Sequence, residues 1–193
     1  MPVEHYGILA RNPVLRRYRP VVAIRERAFL APSDSWKLLR HCEQHYVGRG
    51  IWLQLLAGMR PGEMQALRWN CVDFERNQIL IRATYNRKEK CLQEHPKQED
   101  WGRAPMVPEL RRFLWDRRGG EQEFVAPGEP GQPSKEDGRM LSYETYEDGL
   151  KRLCNELCIT KVTPHELRHS CTELFIQFGA SAEDMPAPLY GGI

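Results

Sequence analysis

The amino-acid sequence predicts a mainly helical α+β domain with a small antiparallel sheet inserted among the helices. Apolar residues recur at the three- and four-residue spacing of buried helix faces in several segments. Two short β-rich runs, residues 72–74 and 78–81, flank the turn-forming pair Arg76-Asn77 and predict a hairpin. With 193 residues and a hydrophobic content of 41%, the chain has room for one sizeable domain and not comfortably for two.

The elements before the sheet are predicted to be an extended basic arm and three helices. Their expected spans are 1–32 for the arm, 33–47 and 49–57 for the first two helices, and 61–69 for the third. Pro61 suits the first position of the third helix and Glu63 suits its first turn, so the start of this helix is the best marked.

The rest of the chain is predicted to complete the sheet and return to helices. A polar, basic, hairpin-like stretch covers 84–103. After it we expect a returning strand at 104–107, a short helix from Pro108, a loop over 118–138 with a short strand at 123–125, and helices over 142–157 and 164–178.

Residues 163–172, Thr-Pro-His-Glu-Leu-Arg-His-Ser-Cys-Thr, are the most informative stretch of the chain. Thr163 and Glu166 have capping-box spacing and Pro164 fits the first helical turn, so a helix is predicted to begin here. Its polar face is formed by His165, Arg168, His169 and Thr172, and its apolar face by Leu167, Cys171, Leu174, Phe175 and Phe178. Such a polar face suits a phosphate, because a guanidinium donates two parallel hydrogen bonds and an imidazole exchanges protons.

A second arginine, Arg60, stands at the predicted start of the third helix. The unpaired backbone N–H groups of a helix start point in the same direction as this side chain, and together they can bind a phosphate. Two other interpretations stay open at this point: Arg60 is an ordinary surface residue, or it pairs with Glu63.

Both arginine motifs resemble those of the tyrosine recombinases, the phage-integrase family. Gly58-Met-Arg60-Pro-Gly-Glu63, followed by Leu67, Trp69 and Asp73, is similar to the first arginine motif. His165-Glu-Leu-Arg168-His169-Ser170 is similar to the second, H-x-L-R-H-S/T. The motifs occur in the family's order, and the resemblance covers residues 12–185. It implies the tyrosine-recombinase catalytic domain, with a small antiparallel sheet inserted after the helix of the first arginine.

The resemblance implies a transesterification at a DNA phosphodiester. A tyrosine attacks the phosphorus, and a 3′-phosphotyrosyl link and a 5′ hydroxyl are formed. The expected catalytic residues are Arg60, Lys97, His165 and Arg168. The two arginines would hold the non-bridging oxygens, Lys97 would protonate the leaving oxygen, and His165 would move the tyrosine proton or orient the phosphate. No cofactor or metal is needed, because the covalent intermediate conserves the bond.

Three further positions are assigned lesser or alternative roles. Lys88 is the rival of Lys97 as the hairpin lysine that reaches the leaving oxygen. Glu63 and His169 are expected to support the site, Glu63 by holding the Arg60 helix, and neither is assigned a catalytic step.

The resemblance also implies a division of the chain and a set of partners. We expect a basic arm at 1–30, the recombinase catalytic domain at 31–185 and a divergent tail at 186–193. The net charge is only +2, yet arginines crowd the first residues. The expected contacts to double-stranded DNA are Arg16, Arg17, Arg19, Arg87 and Lys88. Other recombinase protomers, in a DNA-bound tetramer, are the expected protein partners.

The tail departs from the family pattern. In the family, a Leu-Gly-His motif and then the nucleophilic tyrosine follow the second arginine. Counted from Arg168, these would fall near Gly191 and past the last residue, and the stretch Pro186-Ala-Pro-Leu-Tyr190 matches neither. We therefore expect a truncated catalytic domain that is inactive alone, with Tyr190 incidental. The alternative is a non-catalytic DNA-binding or accessory protein derived from the same fold.

The composition of the chain also limits where the protein can act and whether it can contain disulfides or bind a metal. No signal peptide or apolar run of membrane length is present, so a cytoplasmic location without disulfides is expected. Cys154 and Cys158, one helical turn apart, are predicted to be core-facing thiols. His41 and His45 have the spacing of a helical zinc pair, but no acidic or cysteine ligand set completes it, so a partly exposed helix face is favoured. A metal-dependent hydrolase using these two histidines and His165 is the third alternative.

Overall fold

The computed structural model describes residues 28–94, 102–128 and 140–177, and it confirms the mainly helical α+β class. The helices in these ranges are α1 (Pro32–His41), α2 (Gly48–Ala57), α3 (Pro61–Ala66), α4 (Pro108–Trp115), α5 (Tyr143–Glu156) and α6 (Pro164–Gln177). The strands are β1 (Val72–Asp73), β2 (Gln78–Ile81), β3 (Ala83–Asn86), β4 (Cys91–Glu94) and β5 (Gly102–Pro105). The predicted basic arm lies almost entirely outside the described residues, as does the tail.

Helix α2 forms the centre of the helical core. Its side chains from Ile51 to Ala57 are all buried, and it packs against α1, α3, α4 and α6. On the α4 side, the rings of Trp52 and Phe113 stack with their centroids 4.1 Å apart. A helix whose side chains are buried on every side is stable only where neighbours cover it, which explains its central place.

Three strands form an antiparallel sheet in the order β1–β2–β5. Val72 pairs with Ile79 between the first two strands, and Ile79 pairs with Ala104 between the second and third. The carboxylate of Asp73 accepts two backbone N–H groups of the β1–β2 turn at 3.1 and 3.0 Å, and Asn77 adopts a positive φ of 51°. The predicted hairpin at this turn is therefore confirmed.

A second hairpin, β3–β4, occupies part of the polar stretch for which no strand bounds could be predicted. The Asn86 side chain accepts two N–H groups of its turn at 2.9 and 3.3 Å. Strand β3 packs so closely on α3 that a Cβ at Gly62 would lie 2.7 Å from both Thr84 Oγ1 and Tyr85 O. Only glycine permits this approach, which fixes the hairpin to the helix that follows Arg60.

The predicted end of the first helix was wrong, because the chain turns earlier. Helix α1 stops at His41 instead of 47, and α2 begins at Gly48. A Cβ at Gly48 would lie 2.1 Å from the carbonyl oxygen of Cys42, so the two segments approach too closely for one continuous helix. This close approach of the backbone within the α1–α2 connection cannot be seen in the local apolar spacing.

The third helix also ends earlier than predicted, at Ala66 instead of 69. Leu67 is extended, and its carbonyl oxygen accepts the N–H of Val125 at 2.9 Å. The predicted strand at 123–125 is reduced to a single β-bridge between Arg68 and Phe124. A tertiary pairing has thus displaced the last turn of the helix.

The prediction that Cys154 and Cys158 both face the core is correct for Cys154 only. Cys154 is buried on α5, whereas Cys158 is exposed just beyond the helix with a positive φ of 52°. The chain reverses there, so the one-turn spacing no longer places both thiols on the same face. No helix within the described ranges is long and apolar enough to cross a membrane.

Candidate active site

The start of helix α6 is fixed by the predicted capping box. The backbone N–H of Thr163 donates to Glu166 Oε2 at 2.8 Å, and the N–H of Glu166 donates to Thr163 Oγ1 at 3.3 Å. Leu167, Cys171 and Leu174 are buried against the core, as predicted. The opposite face then carries His165, which is exposed, and Arg168, which is half-buried.

Arg60 occupies the N-cap position of α3 with an extended backbone. Glu63, whose side chain is only 8% exposed, accepts the backbone N–H of Arg60 at 2.8 Å and its Nη1 at 3.0 Å. One carboxylate therefore restrains both the backbone and the guanidinium. Because α3 has only six residues, the positive field at this point comes mainly from the guanidinium and little from the helix dipole.

Positive charges on α6, at the start of α3 and on the β3–β4 hairpin lie close enough to act on one another. Partial burial lowers the pKa of Arg168, and the charge of Arg60 lowers it further, while Glu63 acts in the opposite direction. The pKa of His165 is lowered first by partial loss of contact with water and then by the charges of Arg168, Arg87 and Arg60. Arg60 thus pairs with Glu63, one of the interpretations left open above, and its charge still lowers the pKa of Arg168.

The guanidinium of Arg168 retains hydrogen-bonding capacity that the described residues do not use. Its Nε is buried and has no hydrogen-bond partner among the described residues. A buried donor without a partner costs about 1–3 kcal/mol, so this position favours an anionic ligand. A phosphate oxygen suits it, because guanidinium and phosphate form two parallel charge-assisted hydrogen bonds.

Arg87 joins the β3–β4 hairpin to the start of α5. Its guanidinium carbon lies 3.6 Å from the ring centroid of Tyr143, and its Nη2 donates to Glu144 Oε1 at 3.0 Å. These contacts hold a positive charge close enough to His165 to lower the pKa of that imidazole. Tyr143 and Glu144 were not predicted to contact the site, because an aromatic residue followed by an acid at a helix start is too common to signal a role.

The structure brings together five of the predicted site residues, namely Arg60, Glu63, Arg87, His165 and Arg168. Two others are exposed nearby in the chain: Lys88 on the turn of the β3–β4 hairpin, and His169 on α6. The remaining predicted residues lie outside the described residues: Lys97, Arg16, Arg17, Arg19 and Tyr190.

The two histidines considered for zinc are not on one helix face. His41 ends α1, with its Nε2 3.5 Å from Glu156 Oε2, and His45 lies beyond the helix, where its Nδ1 accepts the N–H of Val47 at 3.3 Å. In the part of the chain that the structure describes, no group of three or more His, Cys, Asp or Glu side chains could hold a metal ion.

Comparison with known proteins identifies the family of this chain. Residues 29–185 match the model of the phage integrase family. The chain belongs to the phage integrase family. Its two arginine motifs, which lie on α3 and α6, are both inside the matched region. No curated protein matches the chain.

Solved structures show the same fold at low sequence identity. The Tn1549 transposon integrase (residues 82–397) in complex with circular intermediate DNA has a TM-score of 0.61 and 20% identity, covering 82% of this chain and 57% of that one. XerA recombinase has a TM-score of 0.63 and 16% identity, covering 89% and 58%. A lambda integrase (75–356) dimer bound to a COC′ core site has a TM-score of 0.53 and 15% identity, covering 84% and 57%. This chain therefore spans somewhat more than half the length of each.

Proposed function

We propose that this chain is the catalytic-domain part of a site-specific tyrosine recombinase and binds a phosphodiester of double-stranded DNA with Arg60 and Arg168. The observation that carries the proposal is the convergence of these two guanidinium groups beside His165, with the buried Nε of Arg168 lacking a hydrogen-bond partner among the described residues. Membership of the phage integrase family supports the same chemistry.

In the proposed reaction, the two arginines stabilise the phosphorus centre. Attack by a tyrosine oxygen adds negative charge to the non-bridging oxygens, and two guanidinium groups compensate it without reorganisation. The bond to the 5′ oxygen breaks as the 3′-phosphotyrosyl bond forms. The hydroxyl of a second strand later reverses this step, so recombination conserves the phosphodiester.

His165 is proposed to act in proton transfer or in orienting the phosphate. Its lowered pKa keeps the imidazole neutral near pH 7, so it can accept a proton or a hydrogen bond. A phosphate bound nearby would partly cancel the arginine charges and raise the pKa of His165. The imidazole would therefore become a better proton acceptor when the substrate is in place.

A lysine is proposed to protonate the leaving 5′ oxygen. Lys97 is the first choice, because Pro96-Lys97 followed by Arg103 and Pro108 resembles the family's order of lysine, arginine and proline. Lys88 is the alternative, exposed on the turn of the β3–β4 hairpin. An ammonium on a flexible stem suits this role, because it can follow the leaving oxygen.

DNA binding is proposed to extend beyond the reacting phosphate. The basic arm at 1–30, through Arg16, Arg17 and Arg19, would follow the backbone, and Arg87 and Lys88 would contact it beside the catalytic domain at 31–185. Assembly with other protomers into a DNA-bound tetramer, in the cytoplasm, completes the proposal. Glu63 and His169 support the site.

The nucleophile is proposed to come from outside this chain. The family match ends at residue 185, and the stretch 186–193 carries Tyr190 without the Leu-Gly-His pattern that precedes the family's tyrosine. By this proposal the chain binds the phosphate but does not cleave DNA alone. The second candidate, a non-catalytic DNA-binding or accessory protein, is favoured by the same mismatch.

Duplex binding at several salt concentrations tests the phosphate site. Arg60→Ala and Arg168→Ala should each weaken binding and reduce the slope of log K against log salt by about one. Arg76→Ala is the matched control, because that exposed arginine pairs with Asp73 on the β1–β2 turn. Equal slopes for all three variants and the unaltered chain would contradict the proposal.

A nicked suicide duplex tests the chemistry. The chain alone should form no covalent adduct, and cleavage should appear when a family C-terminal helix with its tyrosine is supplied in trans. Absence of recovered cleavage, with duplex binding intact, would favour the accessory-protein candidate. An adduct formed by the chain alone and abolished by Tyr190→Phe would show that Tyr190 is the nucleophile.

A further inference from the structure

We infer that the buried side chains of Gln54 and Tyr146 position the connection that presents Arg60 to the phosphate. The inference rests on the proposed function, since it assigns these two residues a role in the same site. Neither touches the phosphate, so both are positioning residues.

The connection between α2 and α3 is short and tightly bent. Gly58 ends α2 in the left-handed conformation with φ 61° and ψ 25°, Met59 is buried, and Arg60 begins α3. Any shift of these residues moves the Arg60 guanidinium directly, because no flexible loop separates it from the core.

Two hydrogen bonds lead from α5 to this connection. The Tyr146 hydroxyl donates to Gln54 Oε1 at 2.7 Å, and Gln54 Nε2 donates to the carbonyl oxygen of Met59 at 3.2 Å. Gln54 and Tyr146 are both completely buried. The carbonyl that receives the second bond belongs to the residue immediately before Arg60.

The same connection is restrained from α6. The Cys171 thiol, one helical turn beyond Arg168, is buried close to the backbone of Gly58, which acts to lower its pKa, whereas burial raises that pKa to about 12, so the thiol stays neutral. The Tyr146 ring packs where a Cβ at Gly50 would lie 2.9 Å from it. Elements on both sides thus fix the position from which Arg60 reaches the site.

A polar pair in this place is better explained by orientation than by stability. Burying polar groups costs solvation, and apolar residues of the same shape can be about as stable. Hydrogen bonds, however, depend on the angle between donor and acceptor, so they fix the orientation of the Met59 carbonyl group. The restraint matters here because Arg60 and Arg168 repel each other until an anion binds. A misplacement of about 1 Å at a catalytic group can cost 100-fold in rate.

The test compares duplex binding by Gln54→Leu/Tyr146→Phe with binding by Arg60→Ala, using a short DNA duplex of arbitrary sequence. We expect both variants to bind the duplex more weakly than the unaltered chain. The decrease in log affinity of the double variant should be at least half of the decrease caused by Arg60→Ala. In an Arg60→Ala background the same pair of changes should cause no further loss, because the pair acts through Arg60. Circular dichroism checks that each variant is folded.

A second readout separates positioning from general stability. If the Arg60 guanidinium moves away, the pKa of His165 should rise, which an NMR titration of its imidazole detects. Tyr146→Phe keeps the ring and the bond from Gln54 to Met59, so it provides the same comparison, with a smaller effect, if the double variant does not fold.

Two outcomes distinguish the inference from the proposed function. Unchanged affinity in the folded variant, or an equal loss with and without Arg60, overturns the inference while the phosphate site stands. If Arg60→Ala itself leaves affinity and salt slope unchanged, the proposed function fails, and this inference fails with it.

Discussion

The backbone N–H of Leu30 donates to Ser170 Oγ at 2.9 Å, across 140 positions of sequence. Ser170 is buried, and its hydroxyl in turn donates to the carbonyl oxygen of Glu166 at 3.1 Å. The segment that leads into α1 is thereby fixed to α6 two residues beyond Arg168. This hydroxyl ties the beginning of the described chain to the helix that carries half of the proposed site.

Ser170→Ala is expected to destabilise the protein by about 1–3 kcal/mol, because it leaves the buried N–H of Leu30 without an acceptor. Urea unfolding followed by circular dichroism measures the change. Ser33→Ala is the matched control: Ser33 is exposed on α1, and its replacement should change the free energy of unfolding by less than about 0.5 kcal/mol. Equal effects of the two substitutions would show that the Leu30 contact contributes nothing.

Gly62→Ala is expected to separate the β3–β4 hairpin from α3. The new Cβ would lie 2.7 Å from Thr84 Oγ1 and from the Tyr85 carbonyl oxygen, and backbone on the opposing strand cannot move without breaking the hairpin contact. We expect the free energy of unfolding to fall by about 1–3 kcal/mol. Duplex binding should also weaken, because Arg60 lies two residues before the substituted position.

Gly120→Ala provides the control for that substitution. The atoms nearest to a Cβ there all belong to the Glu123 side chain, and the closest lie at the ordinary distance of 3.5 Å. Its thermal unfolding midpoint should stay close to that of the unaltered chain. A Gly62→Ala variant as stable as this control would mean that α3 and β3 can separate at little cost.

The elements that sequence reasoning predicted best are those fixed by local contacts. The start of α6 is an example, because Thr163 and Glu166 form both bonds of the capping box within four residues. The β1–β2 turn is another, since Asp73 accepts N–H groups only two and three positions ahead. Patterns of this kind are complete within a short window of sequence.

Helix ends were predicted poorly where backbone contacts outside the helix decide them. Helix α3 ends early because Leu67 pairs with Val125, which is distant in the sequence, and α1 ends early because the chain turns so that Gly48 packs on Cys42. In the site, a common role for Arg60 and Arg168 was expected only because their two motifs resemble those of a known family. The contacts of Arg87 with α5 had no sequence signal, because they depend on how the hairpin folds back.

Thr163→Ala is expected to cost about 1 kcal/mol, with a range of 0.5–2, because Glu166 loses the acceptor for its backbone N–H. The first turn of α6 should then fray, and hydrogen exchange at residues 165–167 should accelerate more than elsewhere in the helix. Thr160→Ala, at an exposed position before the helix, is the control. Unchanged exchange in the first turn would show that Glu166 alone maintains the helix start.

The pH dependence of the site should follow His165. Its pKa in the folded chain lies below the ordinary value of 6.5, so the unfolded chain binds this proton more readily. The contribution of His165 to stability is therefore expected to fall as pH decreases below 6.5. Duplex binding should have the opposite sign, because a phosphate raises the pKa and the protonated imidazole binds it better.

An NMR titration of the His165 imidazole in arginine variants checks the origin of this shift. Arg168→Ala should raise the pKa most, Arg87→Ala less and Arg60→Ala least, because that is the order in which these charges lower it. Arg76→Ala, on the β1–β2 turn, should leave it unchanged. Addition of a short duplex should raise the pKa in the unaltered chain, since the phosphate compensates the arginines. A pKa at or above 6.5 without DNA, or no response to Arg168→Ala, would mean that the positive charges do not converge on this imidazole.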